Sequence, residues 1–294
     1  MPHHPTADAA PAPRPAPEPF GARLHRSVEA RGRLCVGIDP HASLLTAWGL
    51  DDDVAGLERF TRTVVEALAD RVAVLKPQSA FFERFGSRGV AVLERAVADA
   101  RAAGALVLMD AKRGDIGSTM AAYADAYLSP DSPLFSDAVT VSPYLGFGSL
   151  RPAVDAARAA GCGLFALALT SNPEGASVQR AVGADGLPVA AAVLRRLAEE
   201  NAGARPLGSF GAVVGATLAD PGVDLEINGP LLAPGVGAQG ATPADLPRVF
   251  GPAVRSVLPS VSRDVLRHGP GVGPLREAAA RLVDEVRAAL GTDG

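Results

Sequence analysis

Lysine is almost absent from this chain: of 28 basic residues in 294, only Lys76 and Lys112 are lysines, and the rest are arginines. Cysteine is as scarce, limited to Cys35 and Cys162, which excludes a disulfide framework or a thiolate metal cluster. Both cysteines lie beside apolar runs and read as small buried hydrophobes. The five histidines (His3, His4, His25, His41 and His268) show no ligand spacing, so no metal site is expected. No basic block is present and the net charge is −4. That argues against a nucleic-acid partner but not against one phosphate group, which needs only a few local donors. No apolar run approaches the roughly 20 residues of a membrane span. The Pro/Ala-rich segment 1–18 lacks the apolar stretch of a signal peptide. It is expected to be a disordered tail ahead of one domain over 19–294, in a cytoplasmic protein without membrane contact.

What the chain does have is alternation. Short apolar runs at 34–38, 72–75, 105–109, 138–141, 164–169, 211–215, 231–233 and 256–258 are separated by longer segments of helical period. The latter lie at 56–69, 90–103, 119–128, 150–160, 188–201, 243–250 and 274–290. This is the βαβα pattern of a parallel sheet. Eight strand–helix pairs in a chain of this length fit a single (β/α)8 barrel of the TIM type, which takes roughly 250 residues. An open doubly wound sheet is the alternative.

Polar residues gather where each predicted strand ends: Asp39, Lys76, Asp110, Ser142, Thr170-Ser171-Asn172, the run from Gly235 to Gln239, and Ser262-Arg263. In a barrel these ends converge on one face, where active sites sit. Arginine serves almost everywhere a cation is wanted in this chain, so the two lysines point to positions where arginine fails. A guanidinium is effectively never deprotonated, whereas an ammonium can give up a proton. Lys112 stands in the run Asp110-Ala111-Lys112-Arg113-Gly114-Asp115. Asp110 and Lys112, two apart at a strand end, can face the same barrel mouth. Asp115 is expected to open the following helix, near its positive end, with Thr119 one turn on. The competing reading is a salt-bridge network bracing the barrel rim.

The second constellation is Pro234-Gly235-Val236-Gly237-Ala238-Gln239-Gly240. Its glycines would let backbone N–H groups approach a ligand, and a phosphate site after strands seven and eight recurs in barrels. Arg263 is the charged partner expected there, and a plain Gly-rich turn is the rival reading. No role is assigned to 142–144 or 217–220. His41 reads as a surface histidine, Trp48, Phe81 and Phe82 as packing, and Glu83 as forming a helix ion pair only.

Cys35-Val-Gly-Ile-Asp39-Pro40, Val74-Leu-Lys76-Pro77, Met109-Asp110-Ala-Lys112-Arg-Gly-Asp115-Ile116 and Pro234-Gly-Val-Gly-Ala-Gln239-Gly240 occur in that order. Together they resemble the orotidine 5'-phosphate decarboxylase family, over about residues 34–263. The segment Thr170-Ser171-Asn172-Pro173 resembles its longer bacterial branch. The resemblance implies conversion of orotidine 5'-phosphate to uridine 5'-phosphate, the last step of de novo pyrimidine nucleotide synthesis, without metal or organic cofactor. It implies that Lys112 protonates C6, that Asp110 lies beside the departing carboxylate, and that Lys76 and Asp115 complete the charged network. It further implies substrate contacts from Asp39 (ribose), Ser171 (pyrimidine), Pro234, and Gln239 and Arg263 (phosphate). In a homodimer, Asp115, Ile116 and Thr119 would complete the neighbouring site. The rivals are a magnesium-using barrel lyase such as a keto-gulonate-phosphate decarboxylase, and a catalytically silent nucleotide-binding barrel.

Overall fold

Strands buried on both faces need no apolar–polar alternation, and the apolar runs of this chain form such strands. The computed structural model describes residues 16–291. Its strands are β1 (Cys35–Ile38), β2 (Val74–Pro77), β3 (Leu106–Arg113), β4 (Ala138–Val141), β5 (Gly163–Leu169), β6 (Phe210–Val214), β7 (Leu231–Pro234) and β8 (Val257–Val261). All are parallel, each pairs with the next, and β8 pairs with β1, closing the barrel. Closure removes the open-sheet alternative. The segment 1–18, expected as a tail, falls mostly outside the described residues; Glu18, within them, accepts two N–H bonds from Arg26.

The helices are α1 (Phe20–Arg31), α2 (Ala42–Ala47), α3 (Val54–Leu68), α4 (Ala80–Glu83), α5 (Gly86–Ala102), α6 (Gly117–Leu128), α7 (Arg151–Ala160), α8 (Ala176–Gln179), α9 (Val189–Glu200), α10 (Leu246–Phe250), α11 (Arg263–Leu266) and α12 (Val272–Leu290). Local chemistry sets their ends. The Asp53 side chain accepts the Gly56 N–H at 2.8 Å to start α3. Gly161, at φ 66°, ends α7 in the left-handed conformation glycine favours. On α3, Leu57, Phe60, Val64 and Leu68 form the buried stripe of an amphipathic helix. No helix among the described residues is long and apolar enough to cross a membrane.

Helix α1 was not anticipated from the sequence. Phe20 and Leu24 insert into the barrel interior with Cys35, Val74, Leu106, Leu108, Phe165, Val213, Leu232 and Leu258. The Phe20 ring meets Phe165 edge-on at 6.0 Å. Arg23 on the same helix pairs with buried Asp137 and donates to the Gly161 carbonyl at 2.8 Å. The helix thus plugs the end of the barrel where strands begin, leaving the opposite end for chemistry. Cys35 and Cys162 are buried, as expected, and burial pushes both thiols up to about 12.

Candidate active site

Asp110, near the C-terminal end of β3, is the hub of the opposite end. Its carboxylate accepts four side-chain donors. Lys76 Nζ at 2.8 Å and Gln78 Nε2 at 3.0 Å reach one oxygen, while Lys112 Nζ at 2.6 Å and the Thr140 hydroxyl at 2.9 Å reach the other. Four partners fill the acceptor capacity of a carboxylate. Lys76, Asp110 and Thr140 are buried, whereas Lys112 remains half-exposed toward the mouth. Burial alone would raise the Asp110 carboxyl, but the two ammonium groups outweigh it and hold it well below the usual range. Burial likewise disfavours charge on Lys76, and the carboxylates of Asp110 and Asp39 reverse this, raising it above the ordinary lysine value.

Removing the hub has a predictable cost. Asp110→Asn leaves the buried Lys76 ammonium without its carboxylate, which should lower stability by about 3–5 kcal/mol at neutral pH. A depressed carboxyl contributes stability above its unfolded value and loses it as pH falls toward the folded one. Lys76, raised in the fold, contributes below its unfolded value and loses this only in strong alkali. The gap between wild type and Asp110→Asn in urea unfolding should therefore hold from about pH 6 to 8 and shrink below about pH 4. A gap unchanged in acid would contradict this electrostatic account.

Local backbone geometry brings Lys112 to Asp110. The sequence predicts that strand three ends at 109, but β3 continues to Arg113 through an irregularity. Met109 pairs with Val139 and Arg113 with Val141, so Asp110, Ala111 and Lys112 stand opposite Thr140 alone. Lys112 adopts φ 48°, the left-handed region that non-glycine residues rarely enter. Its N–H donates to Thr140 Oγ1 at 2.9 Å. Gly114 follows, packed so that a Cβ would lie 2.3 Å from the Ser142 carbonyl oxygen. Arg113 turns away from the mouth, pairing with Glu83 and lying over the Tyr123 ring. Glu83 also accepts from Ser79, so it ties α4 to β3 as well as acting within its own helix. That corrects the expectation of a helix ion pair only.

Asp39 follows β1, and one of its carboxylate oxygens is buried with no hydrogen-bond partner among the described residues, as is the Ser262 hydroxyl after β8. Both crowd Gly37, where a Cβ would lie 2.9 Å from Asp39 Oδ2 and 3.0 Å from Ser262 Cβ. An orphaned carboxylate oxygen and an orphaned hydroxyl at a barrel mouth suit a polyhydroxyl ligand. Across the mouth, the Ser171 hydroxyl donates to Gln239 Oε1 at 3.4 Å, joining the loops after β5 and β7. Pro234 ends β7, and Gly235, Gly237 and Gly240 all have positive φ. The Gly237 and Gly240 N–H groups donate to the carbonyls of Ala241 and Gly237, each at 2.7 Å. These two glycines shape the turn and do not offer their N–H groups outward, which revises the sequence expectation. Arg263 opens α11, its side chain exposed and without a hydrogen bond or ion pair among the described residues.

Asp115 does not join the hub. It lies two residues before α6 rather than opening it, accepts the Ile116 N–H at 2.8 Å, and has no ion pair with either lysine within this chain. Ile116 is 62% exposed, and Thr119 is exposed on the first turn of α6. Sequence reasoning missed Gln78 and Thr140. A threonine inside the otherwise apolar strand Ala-Val-Thr-Val was the available signal for the latter. Among the described residues, no His, Cys, Asp and Glu side chains gather in a set of three that could hold a metal ion.

Comparison with known proteins places the sequence and the fold among relatives. The profile of the orotidine 5'-phosphate decarboxylase / HUMPS family matches residues 32–278. The orotidine 5'-phosphate decarboxylase of Streptomyces coelicolor is 75% identical over 274 residues, covering 93% of this chain and 99% of its own. That of Salinispora arenicola is 67% identical over 274 residues, with the same coverage. A crystal structure from Streptomyces avermitilis superposes with TM-score 0.92 at 75% identity, covering 94% of this chain and 97% of that one. The Leishmania donovani OMP decarboxylase superposes with TM-score 0.74 at 29% identity, covering 92% and 99%. With the matched span holding the whole Lys76–Asp110–Lys112 hub, the chain belongs to the orotidine 5'-phosphate decarboxylase / HUMPS family.

Proposed function

We propose that this protein decarboxylates orotidine 5'-phosphate to uridine 5'-phosphate, the last step of de novo pyrimidine nucleotide synthesis, with Lys112 as proton donor to C6. One observation carries the reading: in a chain of this family, a half-exposed ammonium is fixed at the barrel mouth by a carboxylate that also grips a second, buried lysine.

The chemistry demands such an arrangement. The bond from C6 to the carboxylate breaks, carbon dioxide leaves, and the electron pair remains on C6 in the ring plane, where the ring π system cannot delocalise it. Electrostatic preorganisation is then the main tool, and a fixed ammonium supplies it. An Nζ–H bond of Lys112 breaks as C6–H forms, and solvent returns the lost proton to the amine. A guanidinium is too weak an acid for that step, which accounts for lysine at 112 in an arginine-rich chain. Asp110 holds Lys112 on one side and Lys76 on the other, so the donor has little freedom before substrate arrives.

The remaining residues bind. Asp39 takes a ribose hydroxyl, with its orphaned oxygen as the acceptor. Ser171 meets the pyrimidine, while Pro234, Gln239 and Arg263 form the phosphate end, where an unpaired guanidinium can grip by two donors. Phosphate binding remote from C6 supplies energy to close the loops over the site. Asp115, which pairs with neither lysine of its own chain, serves the neighbouring subunit of a homodimer together with exposed Ile116 and Thr119. Exposed Ile116 is apolar surface of the kind an interface covers.

Purified protein is expected to consume orotidine 5'-phosphate, read as loss of its ultraviolet absorbance, with undiminished rate in EDTA. Turnover that EDTA abolishes would favour a magnesium-using lyase, and no turnover at all would remove the assignment.

A further inference from the structure

Thr140 is buried at 1% exposure between Val139 and Val141, in a strand where valine would serve packing equally well. Its hydroxyl is engaged twice: the oxygen accepts the Lys112 N–H at 2.9 Å, and the hydroxyl donates to Asp110 Oδ1 at 2.9 Å. The two contacts meet opposite the irregularity of β3, where three residues face one and the ladder cannot supply a partner for the Lys112 N–H. They also bracket the residue at φ 48°, a conformation costing an L-residue roughly 1–2 kcal/mol. Such strain persists only when its surroundings over-determine it. Thr140 stands in for the missing strand partner and fixes the Asp110 oxygen that Lys112 also holds at 2.6 Å.

We propose that Thr140 is a positioning residue for proton transfer: one hydroxyl sets the Lys112 backbone and the carboxylate that aims its ammonium. The assignment rests on Lys112 as the donor to C6. It predicts an effect on the chemical step rather than on nucleotide affinity, because Thr140 contacts the donor and its holder, whereas the proposed phosphate and ribose contacts lie on other loops.

Thr140→Val keeps the shape and removes the hydroxyl, and Thr140→Ser keeps the hydroxyl. For Thr140→Val, kcat is expected to fall on the order of 100-fold, the scale of a misplaced reacting group. KM and the Kd for uridine 5'-phosphate should stay within about threefold of wild type. Thr140→Ser should recover most of kcat. If Thr140→Val does not give folded protein by circular dichroism, Thr140→Ala set against Thr140→Ser makes the same comparison. An unchanged kcat without the hydroxyl overturns the proposal. So does a serine variant as impaired as valine, or a parallel loss of kcat and nucleotide affinity in both, which marks general loosening. Wild-type protein is assayed alongside: its inactivity would remove the underlying reading, whereas active wild type with unaffected Thr140→Val removes this assignment alone.

Discussion

Lys112→Ala is expected to lower turnover of orotidine 5'-phosphate by at least about 10⁴-fold, because two separable contributions vanish together. A fixed charge at a developing anion contributes on the order of 10²–10³, and a positioned general acid contributes about 10²–10⁴. Lys112→Arg should recover little of this. It restores a cation near Asp110 but not an acid able to protonate C6. The neighbouring Arg113→Ala is the control. Arg113 points away from the mouth into Glu83 and Tyr123, so its loss should cost about 1 kcal/mol of stability and leave kcat within about tenfold. Steady-state kinetics and urea unfolding of the three variants check this. Equal loss of activity in Lys112→Ala and Arg113→Ala would show that the motif braces the rim, the competing reading of the same residues.

Mixing two inactive variants should restore activity. If Asp115 completes the neighbouring subunit's site, Lys112→Ala and Asp115→Ala are each inactive alone. A hybrid of the two, however, contains one site with both residues intact and one with neither. Random exchange makes half the dimers hybrids, so about a quarter of all sites recover, as expected for a symmetric two-fold assembly. The motivating observation is that Asp115 makes no ion pair with Lys112 or Lys76 in its own chain, although it is only three residues from Lys112 in sequence. Mixed samples with exchange verified by mass-tagged chains, yet no recovered turnover, would place the whole site within one subunit.

The barrel was legible because strands buried on both faces read as plain apolar runs, and the helices between them carry regular apolar stripes. The helix α1 was not, although Phe20, Leu24 and Val28 recur every four residues. Its role as a plug depends on the interior of a barrel that does not exist until eight strands close. At the site, the rarity of lysine marked both lysines of the hub. What the sequence could not display was the irregularity at Asp110–Lys112, since a left-handed lysine is imposed by pairing with β4 and not by its own preference. Thr140 and Gln78 escaped notice for a related reason: Gln78 matters through Asp110, and Thr140 through Asp110 and the Lys112 N–H, partners that lie 28 or more residues away. The Gly-rich loop shows the opposite failure. Its composition suggested backbone N–H groups free to approach a ligand, while the fold turns those of Gly237 and Gly240 onto its own carbonyls.

The central claim is that Lys112 delivers the proton to C6. By microscopic reversibility, a donor in the forward direction is the base in the reverse one. The direct measurement is therefore exchange of the C6 proton of uridine 5'-phosphate for deuterium in D₂O, followed by proton NMR. Wild-type protein is expected to catalyse this exchange above background and Lys112→Ala to leave it at background while still binding the nucleotide. Exchange surviving at the wild-type rate in Lys112→Ala would mean that another group handles the proton, and would contradict Lys112 as the donor.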